Sequence, residues 1–268
     1  MKPEAPIGVF DSGLGGLTVV RALRRLMPQE SVIYFGDPAR FPYGTKSAET
    51  ITRFALEDAR FLLGRGAKLI VVACHSASSV AMPELVRQLS VPVLGVIEPG
   101  AQALIAATRN RRVGVIGTSA TIRAGAYERS IRELAPDVEI LARATPLLVP
   151  LVEEGWLEGE IVELIVRRYL EELAGEGIDA LLLGCTHFPL LARVISRVMG
   201  MGVRLVDSAE ETARAVQQVL TGQGLLNPDH ESGRCRFYLS DITPGLESVA
   251  ERLFGEPVRD IVRVTMPG

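Results

Sequence analysis

The stretch Ala180-Leu-Leu-Leu-Gly-Cys-Thr-His-Phe-Pro-Leu-Leu191 limits the possible folds more than any other part of the chain. Its apolar run is too short for a helix and stops at Gly184, so it reads as a buried strand. Pro189 then suits the first turn of a helix that continues through Leu190, Leu191, Val194, Ile195 and Val198. Cys185 thereby falls at a strand's carboxyl end, in front of a helix amino terminus. Ligands bind at that edge of open parallel α/β sheets, and the unpaired amides of the helix favour a thiolate. The construction recurs in Lys68-Leu-Ile-Val-Val-Ala-Cys-His-Ser-Ala-Ser-Ser79, with Cys74 in the same place. Unpaired cysteine is among the most buried residue types, so either thiol alone reads as well for packing as for chemistry. Two thiols at matched strand ends favour chemistry.

The rest of the chain repeats around these two points. Pro6-Ile-Gly-Val-Phe10 is a strand that breaks into Asp11-Ser-Gly-Leu-Gly-Gly16, followed by a helix with Leu17, Val20, Leu23 and Leu26 on one face. Residues 31–35 read as a second strand, 36–44 as a turn-rich loop and 47–63 as a helix. A strand over 90–97 is expected to end at Glu98-Pro-Gly100, with a helix after it. From Arg112 the pattern restarts, since Val113-Gly-Val-Ile-Gly-Thr-Ser-Ala-Thr-Ile122 resembles the first strand and turn, and Val203-Arg-Leu-Val-Asp-Ser208 resembles Val93-Leu-Gly-Val-Ile97. Gly8 and Gly114 lie 106 positions apart, and Cys74 and Cys185 lie 111 apart, an offset of about one small domain. The expected fold is therefore α/β: two pseudo-symmetric open domains with mainly parallel sheets and a site in the cleft between them. Residues 1–98 with 210–268 are expected to form the first domain, and 99–209 the second. The strand and helix from Arg234 onward return to the first, and Cys235 on that strand reads as structural.

Composition excludes several classes of function. With 47% hydrophobic residues and a formal net charge of −3 over 268 residues, the chain has no basic footprint for nucleic acid. No apolar run reaches the length of a membrane span, and Met-Lys-Pro-Glu leads straight into a strand without a signal peptide's apolar region, so a cytoplasmic protein is expected. Three widely spaced cysteines do not form a disulfide framework.

Two thiols facing one carbon from opposite sides are what inversion of a stereocentre needs, because one removes a proton while the other delivers one. A thiol's reference pKa of about 8.5 lets one member be thiolate while its partner stays protonated. The carbanion needs stabilising donors, for which Ser12, Ser76, Thr118, Thr121 and Thr186 are placed near the strand ends. Other readings remain open on residue type alone. Cys74, His75, Cys185 and His187 compose a possible zinc set, although adjacent Cys74 and His75 diverge if extended. Gly13-Leu-Gly-Gly16 invites a dinucleotide reading, but Thr18 stands where the third glycine of G-x-G-x-x-G belongs. Asp11 or Ser12 could merely cap the next helix, while Tyr43 and Glu153 read as ordinary loop residues. No signature for pyridoxal phosphate is visible, and an amino-acid-binding module without turnover also fits a cleft.

Taken together, Gly8-Val-Phe-Asp-Ser-Gly-Leu-Gly-Gly-Leu-Thr18, Tyr34-Phe-Gly-Asp37, Pro42-Tyr-Gly-Thr-Lys46, Ala73-Cys74, Gly95-Val-Ile-Glu-Pro-Gly100, Val113-Gly-Val-Ile-Gly-Thr118, Val149-Pro-Leu-Val-Glu-Glu-Gly155 and Gly184-Cys-Thr-His187 closely resemble the glutamate racemases of the aspartate/glutamate racemase family. The resemblance runs from Ile7 to about Ala213 and is weaker in the tail. It implies a cofactor-independent enzyme acting on glutamate and supplying D-glutamate for peptidoglycan, with no nucleic-acid or membrane partner, and a homodimer. It implies that Cys74 takes the proton from D-glutamate and Cys185 from L-glutamate. Asp11 would assist Cys74, and Glu153 and His187 would serve Cys185. Ser12, Pro42, Tyr43, Gly44, His75, Ser76, Thr118, Thr121 and Thr186, with Asp11 and His187, would hold the substrate. The chain departs from the family at Cys74-His75-Ser76, where relatives usually read Cys-Asn-Thr. An ionisable ring there is expected to change substrate fit, with aspartate as the alternative substrate, and to alter the pH profile near the histidine range.

Overall fold

The computed structural model describes residues 2–229, 231, 233–243 and 245–266. Its ten strands are β1 Ile7–Asp11, β2 Val32–Gly36, β3 Leu69–Val72, β4 Val93–Gly95, β5 Arg112–Gly117, β6 Glu139–Ala144, β7 Ala180–Gly184, β8 Arg204–Val206, β9 Cys235–Leu239 and β10 Ile261–Arg263. They form two sheets, a six-stranded one in the order β10-β9-β2-β1-β3-β4 and a four-stranded one in the order β6-β5-β7-β8. Every pairing in both is parallel. The chain thus builds two parallel-sheet α/β domains, and β2-β1-β3-β4 of one has the same order as β6-β5-β7-β8 of the other. The tail returns to the first sheet, where β9 pairs with β2.

Parallel strands covered by helices on both faces are buried on both sides, which is why β1, β3 and β7 read as unbroken apolar runs rather than as alternating ones. On one face of the first sheet, Leu17, Val20 and Leu23 of helix Leu17–Leu26 pack with Ala213, Val216 and Leu220 of helix Ala209–Gly222. Ile51, Ala55, Ala59 and Leu62 of helix Ala48–Leu63 cover the other face. The Ser47 hydroxyl begins that helix by accepting the Thr50 N–H at 3.2 Å, so one otherwise orphaned amide is satisfied. The second sheet is enclosed in the same way, by Val162, Val166 and Leu170 on one side and Leu104 and Ile131 on the other. Each such fully buried Leu, Ile or Val contributes about 1.5–3 kcal/mol of apolar transfer.

Two local expectations are corrected. The fourth strand covers only Val93–Gly95, and Glu98-Pro-Gly100 lies inside the first turn of helix Ile97–Ala107. Proline is tolerated there because the amides of a helix's first turn have no intrahelical partner. Strands β6 and β10, at the sheet edges, have no counterpart in the pattern reading; β6 is only half-buried and carries Glu139 and Arg143.

Candidate active site

Parallel order brings the carboxyl ends of the central strands to one edge in each sheet. Asp11 is the last residue of β1, Cys74 follows shortly after β3, Thr118 follows β5 and Cys185 follows β7. The two edges meet around a cavity of about 90 Å³, lined among others by Asp11, Ser12, Pro42, Tyr43, Gly44, Cys74, His75, Ser76, Thr118, Cys185, Thr186 and His187. At roughly 15 Å³ per water it has room for about six waters, the scale of one small zwitterion and too little for a dinucleotide.

Close approach of the two halves explains two glycines. A Cβ on Gly15 would stand 2.0 Å from the Thr186 Oγ1 and 2.9 Å from the His187 Nδ1. One on Gly44 would stand 2.6 Å from the Thr118 Cβ. Hydroxyls also meet across the cleft, with Ser76 Oγ 2.9 Å from Thr118 Oγ1 and 3.5 Å from Thr121 Oγ1.

Both thiols are almost buried, Cys74 at 4% exposure and Cys185 at 7%. Their neighbours differ. The Cys74 Sγ lies 3.5 Å from the Ser12 Oγ, and the main-chain amides of Ser12 and Ala77 favour its ionised form. Burial, then the charge of Asp11, pushes this thiol up to about 12. The Cys185 Sγ instead lies 3.7 Å from the His187 Nδ1, and the His187 Nε2 lies 2.5 Å from the Glu153 Oε1. Burial works against charge on His187, but the thiol and Glu153 outweigh it and hold the imidazole well above its usual range. As an imidazolium it donates from both nitrogens, one toward sulfur and one to the carboxylate.

Asp11 accepts the Gly13 N–H on Oδ2 at 3.1 Å, while its Oδ1 is buried with no partner among the described residues. Burial raises this carboxyl, and the charge of His187 with the Gly13 and Gly16 amides opposes that rise. No side chain caps the helix Leu17–Leu26, so the helix-cap reading of Asp11 and Ser12 is corrected: both face the cavity.

Three further expectations change. Tyr43 is fully buried rather than a surface-loop residue, and its hydroxyl contacts Asp37 and Asp58, so only its main chain is free for a ligand. Thr121 and Glu153 stand behind the lining, Thr121 with Oγ1 3.0 Å from Thr118 Oγ1 and Glu153 against His187. His75 is 4% exposed, its Nε2 lies 3.2 Å from the Ser208 Oγ, and burial, then the charge of His187, pushes it down to about 3. The ring is neutral at physiological pH, so the expected inflection in the histidine range does not come from His75.

Phe41, Thr45, Ser119, Pro146, Val149 and Pro150 also line the cavity; none is among the expected site residues, although Thr45, Val149 and Pro150 lie in segments that carry the family resemblance. The internal repeat carries the missing signal: residues 145–150 follow β6 as residues 37–45 follow β2. The imidazoles of His75 and His187 turn one nitrogen each to Ser208 and Glu153, and among the described residues no three His, Cys, Asp or Glu are grouped to hold a metal ion. Nor is any described helix long and apolar enough to cross a membrane.

Comparison with known proteins follows the same outline. The family described as Asp/Glu/Hydantoin racemase matches residues 17–216, more than half of the chain. The glutamate racemase of Geobacter metallireducens is 52% identical over 264 residues, covering 98% of each chain. The crystal structure of glutamate racemase from Francisella tularensis in complex with D-glutamate is 38% identical, with a TM-score of 0.91 over 98% of each chain. That of the Bacillus anthracis isoform RacE1 is 38% identical, with a TM-score of 0.94 over 99% of each. With its paired sheets and its near-full-length similarity to these enzymes, the chain belongs to the Asp/Glu/Hydantoin racemase family of isomerases.

Proposed function

We propose that this chain interconverts L-glutamate and D-glutamate without a cofactor, with Cys74 and Cys185 as the two acid/base groups. The observation that carries this reading is that the two thiols line one small cavity from two separate sheets. Racemisation of L-glutamate begins with the Cys185 thiolate taking the α-proton. The electron pair left on carbon is stabilised by hydrogen-bond donors at the carboxylate, and the Cys74 thiol then delivers its proton to the opposite face. The reverse direction exchanges the roles, and no proton is gained or lost over a cycle once the two thiols re-equilibrate with water.

His187 and Glu153 serve Cys185, and Asp11 assists Cys74. The unpartnered Oδ1 of Asp11 suits the substrate ammonium. Ser12, His75, Ser76, Thr118 and Thr186 and the main chain of Pro42, Tyr43 and Gly44 surround the rest, with Thr121 orienting the hydroxyls of Ser76 and Thr118. The same reading divides the chain into 1–98 with 210–268 and 99–209, makes it a cytoplasmic homodimer and assigns its D-glutamate to peptidoglycan synthesis. Glutamate is favoured by the names of the relatives above, of which the Francisella tularensis enzyme was crystallised with D-glutamate.

The decisive experiment follows solvent deuterium into the α-position of each enantiomer of glutamate, with aspartate as control. Exchange of both glutamate enantiomers and slower exchange of aspartate is expected. Absence of exchange from either glutamate face would end the two-thiol reading, and faster exchange of aspartate would end the substrate assignment.

A further inference from the structure

Outside the racemisation machinery, a set of buried and half-buried charges holds the cavity wall at residues 41–45 against the helix Ala48–Leu63. Arg40 donates from Nε to the Asp37 Oδ2 at 2.6 Å, from Nη2 to the Asp58 Oδ1 at 2.8 Å and from Nη1 to Glu57. Its guanidinium lies 4.2 Å from the centre of the Phe54 ring, on which Tyr43 also packs at 5.5 Å between ring centres. The Tyr43 hydroxyl lies 2.5 Å from the Asp37 Oδ2 and 2.8 Å from the Asp58 Oδ2. Asp37, Asp58 and Tyr43 are fully buried.

These contacts demand one proton beyond the usual count. A phenol carries one hydrogen, and an ionised carboxylate only accepts. Both short contacts to the Tyr43 oxygen are therefore hydrogen bonds only if one carboxyl is protonated. The Asp37 Oδ2 already accepts from the Arg40 guanidinium, whereas the Asp58 Oδ2 meets only the phenol. The extra hydrogen then sits on the Asp58 Oδ2 and is donated to Tyr43, which donates onward to Asp37.

We propose that Asp58 is a neutral carboxylic acid at neutral pH, and that Asp58, Tyr43 and Asp37 act as positioning residues that set where the main-chain amides of Tyr43 and Gly44 stand along the cavity. Those two amides meet no acceptor among the described residues. Burial, then the charge of Asp37, pushes Asp58 well above the usual carboxylate range, with Arg40 and Tyr43 opposing and Glu57 adding. Those four are the ionisable groups facing Asp58 from the loop and from its own helix. Three carboxylates around one guanidinium would otherwise leave an uncompensated buried charge.

The kinetic test rests on the racemase reading, and a spectroscopic test does not. The carboxamide of Asp58→Asn imitates the neutral acid, donating to Tyr43 and accepting from Arg40. At pH 7, KM and kcat for both enantiomers should stay within about twofold of wild type, because both partners keep their bonds. In alkaline solution the wild-type KM should rise as Asp58 ionises, and the D58N KM should not. Tyr43→Phe should raise KM roughly tenfold, with kcat changed far less, since it leaves two carboxyls without the hydroxyl. A tenfold rise of KM in D58N at pH 7, or identical pH dependence of KM in D58N and wild type, would overturn the proposal. The second arm titrates the carboxyl resonances of ¹³C-aspartate-labelled protein. An aspartate that keeps its proton at pH 7 and shifts in Y43F supports the assignment even if D58N does not fold or no turnover is found; no such resonance overturns it.

Discussion

Cys74 and Cys185 occupy equivalent places in the two halves, yet their surroundings have diverged. Around Cys74 the polar groups are a serine, two main-chain amides and the buried carboxyl of Asp11, and the thiol is held in its protonated form. Around Cys185 a charged imidazole faces the sulfur and is itself held by Glu153. Both halves thus place sulfur at a strand end, but one sulfur lies beside a hydroxyl and a buried carboxyl and the other faces a charged imidazole. The backbone repeat supplies symmetric positions, while the side chains beside each sulfur give the two positions different electrostatic surroundings.

The strongest test of that comparison replaces each sulfur. Cys74→Ser and Cys185→Ser should each lower racemisation about 10³-fold, the scale of a lost general acid or base. Their remaining deuterium exchange should differ in face: Cys74→Ser keeps exchange from L-glutamate, and Cys185→Ser keeps it from D-glutamate. Equal residual exchange from both enantiomers in either variant would break the assignment of faces.

A smaller effect is expected at Glu153→Gln. Loss of the carboxylate lowers the His187 pKa, so the alkaline limb of kcat/KM should move to lower pH, and activity at pH 7 should fall roughly tenfold. The sign for stability is the same. A histidine with a raised folded pKa stabilises the fold fully below its ordinary value of 6.5 and loses that contribution as pH rises through the folded value. The wild type should therefore lose more melting temperature than the variant above that pH. A profile that does not move would detach His187 from Cys185.

Asp11→Asn probes the other side. Removing a neighbouring negative charge should bring the Cys74 thiol down from about 12, seen as alkylation of Cys74 by iodoacetamide at lower pH, with Cys185 as internal reference. An unchanged alkylation profile would leave burial as the sole cause. The smallest effect belongs to His75→Asn, where kcat/KM should change by no more than about twofold and the shape of the profile between pH 5 and 8 should be unaltered, because the ring is already neutral there. A new or lost inflection in that window would show that His75 ionises during turnover.

Much of the fold was legible in the sequence, because central strands of a parallel sheet are short unbroken apolar runs and their ends are marked by glycine, cysteine and hydroxyl residues. β1, β3, β5 and β7 carry that signature, and with them came Asp11, Cys74, Thr118 and Cys185. Edge strands lack it. β6 is only half-buried and carries Glu139 and Arg143 among its residues, so its apolar run is broken and the strand does not announce itself, nor does Pro146 after it. Tyr43 read as a loop residue because nothing local announces that Asp37 and Asp58 will meet its hydroxyl.

By itself, the sequence determined the strand grammar, the internal repeat and the residue types at the strand ends, since these follow from local periodicity and from where apolar runs stop. Only the tertiary structure decided that the two sulfurs share one cavity, that His187 is charged while His75 is neutral, and that Gly15 and Gly44 tolerate no side chain. Those outcomes depend on burial and on neighbours about 30 to 170 positions away in the chain, as His187 is from Glu153 and Gly15 from Thr186. Distances through space, unlike periodicities along the chain, do not exist until the two sheets pack.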